Sequence, residues 1–457
     1  MNQHDHNHLL RRWSLGQVLA ICLAAAVIST PAHAESPALT DTTAVAELQS
    51  LIAESRYDDT FALGDSLLTE LRQAGADDSP AEADILEQLV QAGYRSGRNM
   101  DPLILEMAER AVAIKTKVFG LNHPATSASL MHLANLLNER RECERALPVY
   151  DQAIANLVAD AVGHEQAIAV LTSSRGVALR RLGRYEEALG SYERALAMQE
   201  IAYGGDHPDL ASTLNNLANV LVQLGDYSRA RRAHERALAI RMQFLGPDHE
   251  WVGETYNNLS TVLGYMGEYV ASLRAEEQAV NIFKAKLGPD HERTLLAGLN
   301  LGIVYLDMGD SNGAIPIFEM VLAGLETLYG PEHDQITYAL DPLAAAHRGV
   351  GDPAGALEIY RRSLRIIETS WGVDNPESAA TLLEMGRCLI ELERLDEAAD
   401  ILARSLAISE QIGDPDSPEL CSVLQRTGEL RLRLGDPAGA LAFAERSGEI
   451  VVSRLGE

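Results

Sequence analysis

Histidines recur along the sequence about every 42 residues, and imidazole is the first side chain here that could do chemistry. A histidine can bind a metal ion or transfer a proton near neutral pH. Stacked repeats would place successive imidazoles about 10 Å apart, which is too far for them to share one ion. We therefore expect these side chains to form hinge hydrogen bonds or to cap helices. The set comprises His123, His164, His207, His249, His291 and His333.

Carboxylates and thiols do not form the pattern of a catalytic site. Paired acids such as Glu186 and Glu187 lie among arginines, as is usual on solvated helix surfaces. Cys143, Cys388 and Cys421 lack metal-ligand spacing, so we expect them to be small buried hydrophobic residues. The sequence has no Gly-rich phosphate loop, nucleophile elbow or zinc-protease helix motif. We expect no enzymatic activity, no cofactor and no bound metal.

Asparagines and a few larger polar residues form the candidate set for partner contact. Asn is a mediocre helix former, so its repeated use in mid-helix needs a reason. A carboxamide can pair with the backbone of an extended peptide without reading its sequence. Alternatively, the amides link adjacent helices as a polar ladder, and the sequence leaves both readings open. The candidates are Asn135, Arg180, Arg181, Asn215, Asn216, Asn219, Gln223, Asn257, Asn258, Tyr265, Asn300 and Asp307, with Arg348 at a matching helix end.

A repeat of 42 residues must position these side chains. Each repeat has a hinge of the general form Gly-Pro-Asp-His and an inner turn in which a glycine precedes an aromatic residue and an alanine. Two breaks per repeat predict two helices. At one hinge we expect Gly246 to end a helix, Pro247 to stop it and Asp248 to cap the next helix. The clearest hinges are 204–207, 246–249, 288–291 and 330–333.

The apolar residues predict helices rather than strands. Leu214, Leu217 and Ala218 fall at i, i+3 and i+4, the spacing of one helix face. Hydrophobic residues make up 46% of the chain but aromatic residues only 5%, which favours closely packed helices over a sheet sandwich. We expect alanines such as Ala230 to mark the closest approach of neighbouring helices.

These features resemble the tetratricopeptide repeat, and the 42-residue length, the hinge and the Leu-Asn-Asn-Leu-Ala run at 214–218 look most like its kinesin light chain branch. The resemblance implies an all-α fold, a right-handed α-solenoid superhelix of tandem helix-turn-helix repeats. It also implies that the first helix of each repeat lines a concave surface, where asparagines of that family contact peptide cargo. The predicted organisation is a signal peptide at 1–34, a capping helix pair at 35–77 and nine repeats over 78–457.

The first 34 residues have the pattern of a secretory leader. Arg11 and Arg12 precede an apolar stretch at 15–28, and residues 31–34 place small side chains at a cleavage site. We expect cleavage after Ala34 and a periplasmic or secreted protein. The apolar stretch is short for a bilayer span, so lipid or leader anchoring is less favoured and no stable span remains after cleavage.

The charge of the chain restricts its partners. There are 38 Lys and Arg against 66 Asp and Glu, a formal net charge of −28. Without a Lys/Arg-rich run to neutralise phosphates, nucleic acid is excluded as a partner. The few lysines, Lys115, Lys117, Lys284 and Lys286, all lie outside the first helices. This disfavours the two-carboxylate clamp with which chaperone-binding tetratricopeptide domains hold acidic C-terminal tails.

The functional expectation is an exported, non-enzymatic scaffold that binds a protein or peptide in its concave groove, centred on repeats 2 to 6. No small-molecule substrate is expected. The alternative is a structural assembly subunit of an envelope complex, which uses the convex face or the terminal caps. Pro342, preceded by Asp341, falls in mid-helix directly after the asparagine-bearing repeats, and we expect it to kink that helix.

Overall fold

The computed structural model describes residues 42–159, 163–412 and 417–455, so the predicted leader and its cleavage site lie outside the described residues. Within these ranges the secondary structure is helical, and helices joined by short hinges follow one another in tandem pairs. The all-α repeat fold predicted from the sequence is confirmed. The helices are α1 (Thr42–Ala53), α2 (Tyr57–Gln73), α3 (Pro80–Arg95), α4 (Pro102–Phe119), α5 (Pro124–Glu139), α6 (Cys143–Ala159), α7 (Glu165–Arg181), α8 (Tyr185–Tyr203), α9 (Pro208–Gln223), α10 (Tyr227–Leu245), α11 (Glu250–Tyr265), α12 (Tyr269–Leu287), α13 (Glu292–Asp307), α14 (Ser311–Tyr329), α15 (Thr337–Gly349), α16 (Pro353–Trp371), α17 (Pro376–Glu391), α18 (Leu395–Ile412), α19 (Pro418–Arg433) and α20 (Pro437–Leu455).

The helices form two compact units with a boundary between Phe244 and Leu245. In the unit up to Phe244, successive helices from α1 to α9 pack against each other, and first helices of neighbouring repeats also touch. Thus α3 contacts α5, α5 contacts α7 and α7 contacts α9, whereas successive second helices have less extensive contacts. The first helices are the more closely packed layer. We call their solvent-facing side the first-helix face.

The unit from Leu245 onward has the same two layers. Every helix from α11 to α20 packs against the next one along the chain. Direct contacts between first helices join α11 to α13, α13 to α15 and α17 to α19. This unit therefore has a first-helix face of its own.

The hinge histidines cap the first helices, as the sequence predicts. His291 is the last non-helical residue before α13, and its Nδ1 accepts a hydrogen bond from the backbone N–H of Arg293 at 3.1 Å. This contact satisfies one of the donors that the first turn of a helix leaves unpaired. The same contact, at 3.1 or 3.2 Å, is made by His123, His207, His249 and His333.

Two hinges depart from the expectation. Asp248 was expected to cap α11, but His249 occupies the capping position with an extended backbone at φ −78° and ψ 143°. The expectation is wrong because Asp248 lies one residue too early for its side chain to occupy that position. His164 precedes α7 without a side-chain capping bond, at φ −109° and ψ 9°.

The inner turns use the left-handed conformation that the sequence predicts. The glycines after the first helices have φ between 74° and 84°, where a Cβ would meet the following carbonyl oxygen. Arg141 and Glu393 occupy the same position in two repeats at φ 62° and 57°, and therefore carry backbone strain. The glycines are Gly183, Gly225, Gly267, Gly309, Gly351 and Gly435.

Inside each repeat, the second helix buries one residue against a small residue of the first helix. Phe318 is fully buried, and a Cβ added to Gly302 would lie 2.4 Å from its ring. We call this place on the second helix the knob position. Other repeats fill it with Tyr150, Tyr192, Tyr360 and Leu402, all of them buried.

Two consecutive repeats place ionisable groups at the knob position. His234 of α10 and Glu276 of α12 are both 0% exposed. Among the described residues, neither imidazole nitrogen and neither carboxylate oxygen has a hydrogen-bond partner. Burial, with a smaller effect of Arg241, lowers the pKa of His234 to about 3. Burial raises the pKa of Glu276 well above its ordinary value.

Pro342 lies inside a continuous helix. α15 runs through Pro342, and the irregularity appears about two turns earlier, where Asp334–Ile336 forms a 3₁₀-helix. Proline lacks the N–H that would bond to the carbonyl four residues before it, which here belongs to Tyr338 in the first turn of α15. The missing bond therefore falls in the opening turns, where it disturbs the helix less than the expected mid-helix break would.

None of the helices described has the length and apolar character needed to cross a bilayer. Cys143, Cys388 and Cys421, the cysteines in the described ranges, are buried and free of disulfides, and their burial agrees with the sequence expectation. Burial raises the pKa of Cys388 to about 12, mainly by desolvation of the thiolate. Such a thiol is a poor nucleophile and acts here as a core residue.

A candidate peptide-binding face

The predicted contact residues all lie on first helices, and they divide between the two units. Those near a helix end carry the longer side chains, and the asparagines lie in mid-helix. In the unit up to Phe244 they are Asn135 of α5, Arg180 and Arg181 of α7, and Asn215, Asn216, Asn219 and Gln223 of α9. In the other unit they are Asn257, Asn258 and Tyr265 of α11, and Asn300 and Asp307 of α13.

Several candidates in the first unit hold neighbouring helices together. The Tyr150 hydroxyl donates a hydrogen bond to Asn135 Oδ1 at 2.8 Å. Arg181 donates to Glu139 Oε1 and to Asn138 Oδ1, both at 3.2 Å, and these two partners belong to the preceding first helix. Asn135 and Arg181 are thus committed to internal contacts.

In the second unit, two asparagines of neighbouring repeats bond to each other. Asn300 Nδ2 donates to Asn257 Oδ1 at 3.0 Å across α13 and α11, and Asn257 is only 4% exposed. This pair is a rung of the polar ladder that the sequence left as an alternative.

The remaining candidate residues differ in how accessible their side chains are to a ligand. Asn215 is 1% exposed and faces the core rather than a ligand. Other candidates are half-buried but already interact with neighbouring groups of the chain. These are Arg180, Asn258, Tyr265 and Asp307.

α9 carries three carboxamides that make no hydrogen bond to another described residue. Asn216, Asn219 and Gln223 stand at i, i+3 and i+7, which places them on one side of the helix. All three are half-buried. Within the described ranges Asn216 Oδ1 is buried without a hydrogen-bond partner, and no hydrogen bond involves the side chains of Asn219 and Gln223. We call these three residues the α9 carboxamide row.

The knob position explains why one of these amides is free. Asn219 occupies the place of Asn135 two repeats later, 15 residues before the knob position in each case. Tyr150 reaches Asn135 with its hydroxyl, whereas His234 is too short to make the corresponding contact and remains unpartnered among the described groups. Sequence reasoning missed His234, although the 15-residue offset between Asn135 and Tyr150 was a signal that could have found it.

Ion pairs cross the first-helix face of the second unit. Arg293 bonds Glu250 at 2.9 Å and lies 3.5 Å from Glu254. Arg348 bonds Glu391 at 3.1 Å, which links α15 to α17. Sequence reasoning treated Arg348 as a groove residue, but its guanidinium serves this cross-repeat pair. Compared with α9, this face offers fewer unoccupied polar groups.

The described residues offer little for chemistry on a small molecule. No group of three His, Cys, Asp or Glu side chains among them is arranged to hold a metal ion. A cavity of about 320 Å³ at the hinge before α11 is at the small end for ligand pockets. Its lining includes the capping residue His249, Lys286 and the hinge residues Gly246 and Pro247.

Solved structures share the fold at low sequence identity. A Signal Transduction ATPase with Numerous Domains protein with a tetratricopeptide repeat sensor, from Pyrococcus horikoshii, is 15% identical, with a TM-score of 0.54 over 82% of this chain and 52% of its own. The apo form of RapI is 14% identical, with a TM-score of 0.51 over 63% of this chain and 99% of its own. Kinesin light chain nearly identical TPR-like repeats from Podosopora anserina are 19% identical, with a TM-score of 0.40 over 45% and 96%.

Family comparison agrees with the repeat architecture. No curated protein matches the sequence. A family model described as tetratricopeptide repeat matches residues 167–243, 229–285, 292–369 and 377–450, more than half of the 457 residues. This fold is a scaffold typical of protein–protein interaction and is generally non-enzymatic. The chain belongs to the tetratricopeptide repeat family.

Proposed function

We propose that this protein is an exported scaffold that captures a polypeptide partner in the groove of its first-helix face, with the α9 carboxamide row as the main contact. The observation that carries the proposal is the set of free amides of Asn216, Asn219 and Gln223 on one side of α9. The half-buried side chains of Asn219 and Gln223 make no hydrogen bond to another described residue, so their donors and acceptors remain for a ligand.

An extended peptide suits these amides. Each carboxamide can donate to a backbone carbonyl and accept from a backbone N–H, so the row can hold a main chain largely independently of its side chains. Specificity then comes from groups beside the row. On the neighbouring helix α7, Arg181 stands one repeat before Gln223 and is fixed by its bonds to Asn138 and Glu139.

Export is part of the proposal because the leader at 1–34 has the composition of a signal peptide. N-terminal sequencing of the protein isolated from the compartments of its native host tests it. A first residue of Glu35 supports cleavage after Ala34. A chain that retains residues 1–34 and stays in the cytoplasm contradicts export.

Photo-crosslinking tests the groove. A photoreactive amino acid at Gln223 should capture a partner chain in cells, whereas the same amino acid at the exposed Arg232 of α10 should not. Asn216→Ala together with Asn219→Ala should reduce the captured product at least about tenfold, since each lost hydrogen bond costs roughly 1 kcal/mol.

The control is Val222→Ala, a change at a half-buried position of the same helix that lies off the side carrying the row. It should leave capture unchanged. Equal capture from Arg232, or capture that survives loss of both asparagines in a folded protein, would refute the groove. Asn257→Ala is unsuitable for this purpose because it breaks the internal bond with Asn300.

A second candidate function is assembly through the last helix pair. Leu432, Leu441 and Val452 of α19 and α20 are large apolar side chains that are 60%, 59% and 70% exposed. Exposed apolar side chains that lie together can form an interaction surface. Leu441→Glu with Val452→Glu should abolish an assembly built on this surface and leave the Gln223 crosslink intact. If the assembly survives both changes, it does not use this surface, and the groove alone is favoured.

A further inference from the structure

Ion pairs between successive second helices form a ladder in the unit from Leu245 onward. Arg362 of α16 bonds Glu326 of α14 at 2.7 Å. One repeat later, Arg404 of α18 bonds Glu368 of α16 at 2.5 Å. The next rung joins Arg446 to Glu410. The two partners of each rung are 36 residues apart, so the ladder follows the repeat.

The ladder breaks at α12 and α14. Met320 stands where Arg362 stands one repeat later, and Lys284 stands where Glu326 stands. Met320 is 59% exposed, and Lys284 is exposed without an ion pair among the described residues. A charge pair that would have been satisfied internally is replaced by an apolar side chain and a free cation.

The exposed side of α12 continues this change. Val270, Arg274, Gln278, Asn281 and Lys284 recur at intervals of three or four residues and are all exposed, so they share one side of the helix. We call them the α12 face. Glu277 is exposed on the same side of the helix, seven residues from both Val270 and Lys284, so this side carries two cations, Arg274 and Lys284, and one carboxylate. Lys286 adds a further exposed cation in the last turn.

Within the ranges that the structure describes, the two lysines of this surface lack the ion pairs that the other two lysines of the chain make. Lys115 bonds Glu87 at 2.7 Å and Lys117 bonds Asp78 at 2.5 Å, which accounts for the other two lysines. Arg274, Lys284 and Lys286 make no ion pair in the described part of the chain. Lysines in the last turn of a helix interact favourably with the helix dipole. That effect explains neither Arg274, which is unpaired among the described residues and lies near the start of the helix, nor the exposed Met320.

We propose that the α12 face, with Lys286 and Met320, docks an acidic segment of a partner protein, one that presents carboxylates beside apolar side chains. Carboxylates complement Arg274, Lys284 and Lys286, and an apolar side chain covers Val270 or Met320. This surface belongs to a second helix, so the inference is independent of the first-helix groove.

The chemistry favours a short polypeptide over an extended polyanion. The chain carries a net charge of −28, which repels nucleic acid and anionic membranes. Charges beyond about 8 Å are screened at physiological salt, so a short segment meets mainly the local cations. The interspersed apolar residues add contact area that a phosphate backbone does not use.

Fluorescence anisotropy with a defined probe tests the proposal. The probe is a labelled peptide of three Glu-Leu-Glu-Ala-Ala-Leu-Gln heptads, and the comparison peptide has Gln at every Glu. The full-length protein should bind the acidic peptide, more weakly as salt increases, and bind the neutral peptide at least about tenfold more weakly. Arg274→Glu with Lys284→Glu and Lys286→Glu should lower the affinity at least about tenfold, and Met320→Ala should lower it less.

The matched control reverses three exposed cations elsewhere that also lack ion pairs among the described residues, Arg194→Glu, Arg232→Glu and Arg365→Glu. It makes the same change in net charge and should alter affinity less than about twofold. Asn216→Ala with Asn219→Ala should have no effect, which separates this site from the groove. Equal loss in the control, equal binding of the neutral peptide, or unchanged binding in the α12 variant overturns the proposal. So does α12-dependent binding confined to phosphatidylglycerol vesicles or to a second copy in sedimentation.

Discussion

At the residue scale, the knob position shows how one side chain can determine both packing and function. Tyr150 fills this position, and its hydroxyl also donates a hydrogen bond to Asn135. His234 fills it in the fourth repeat and leaves Asn219 without that partner. The repeat that gives up a stabilising hydrogen bond is the one that gains a free amide for a ligand.

We expect His234→Tyr to stabilise the protein, and we expect the new tyrosine hydroxyl to form a hydrogen bond with the side chain of Asn219. The new hydroxyl copies the Tyr150 contact and replaces an unpartnered buried imidazole, a gain of about 1 to 3 kcal/mol in the free energy of unfolding. Urea unfolding at pH 8 measures it. The same variant should weaken partner capture, and His234→Phe, which lacks the hydroxyl, should stabilise without that weakening.

The His234 variant should also change the pH dependence of stability. In the wild type the folded pKa of His234 is about 3, below the ordinary value of about 6.5. The contribution of His234 to the free energy of unfolding is therefore fully present above the ordinary pKa and decreases as the pH falls. The gain from His234→Tyr should therefore be about 1.4 kcal/mol larger at pH 5.5 than at pH 8. A gain that does not depend on pH would contradict a neutral buried imidazole.

Glu276 should have the opposite pH dependence. Burial raises the folded pKa of Glu276. Its contribution to the free energy of unfolding is therefore fully present below the ordinary pKa and decreases as the pH rises towards the folded pKa. Glu276→Gln should increase the free energy of unfolding at pH 8 by roughly 1 to 3 kcal/mol, and less at pH 5.5. The control Glu277→Gln, at an exposed position, should have little effect at either pH.

Sequence reasoning identified the candidate site only in part. The repeat spacing placed the asparagines on the first helices, but it could not separate Asn257 and Asn300, which bond to each other, from Asn216 and Asn219. That distinction depends on how far one helix is rotated against the next. Local periodicity carries no information about this rotation.

At the scale of elements, helix ends were the most predictable feature. The glycine turns and histidine caps follow from backbone requirements that act over a few residues. The error at Asp248 has the same origin, because Asp and His can both accept a capping bond and the spacing alone does not select the register. His249 takes the position because it directly precedes the first helical residue.

A strained turn provides a test at this scale. Arg141 is exposed and adopts φ 62°, where glycine is favoured. Arg141→Gly should stabilise the protein by about 1 kcal/mol, because removal of Cβ relieves the left-handed strain. Gly183→Ala, at the equivalent turn, should cost a similar amount. Thermal unfolding of the two variants should shift in opposite directions, and a shift in the same direction would contradict this reading.

At the scale of the whole molecule, repeats contact mainly their neighbours in each unit. In such an array, stability is close to a sum of repeat and interface contributions, so damage remains local. The Arg–Glu ladder of the second unit shows this plan on the surface, and its break at Met320 and Lys284 marks one repeat pair as different.

Ala230→Arg should show how local such damage is. Ala230 is 0% exposed, and a buried guanidinium without a partner should cost more than about 3 kcal/mol. Hydrogen exchange should increase in α7 to α10 and remain slow in α17 to α20. Ser228→Arg, an exposed change in the same helix, should leave exchange unaltered. Uniform loss of protection would contradict the modular picture.

The knob position has one more consequence, for the folding chain. Nearly identical modules in tandem invite slipped partnering, in which a helix docks one module too early or too late. Tyr192, His234, Glu276 and Phe318 differ in size and polarity, so a misplaced helix meets a mismatched recess. The variation at the knob position weakens individual repeats, but it also makes each repeat different from its neighbours. It therefore favours correct helix pairing over pairing that is shifted by one repeat.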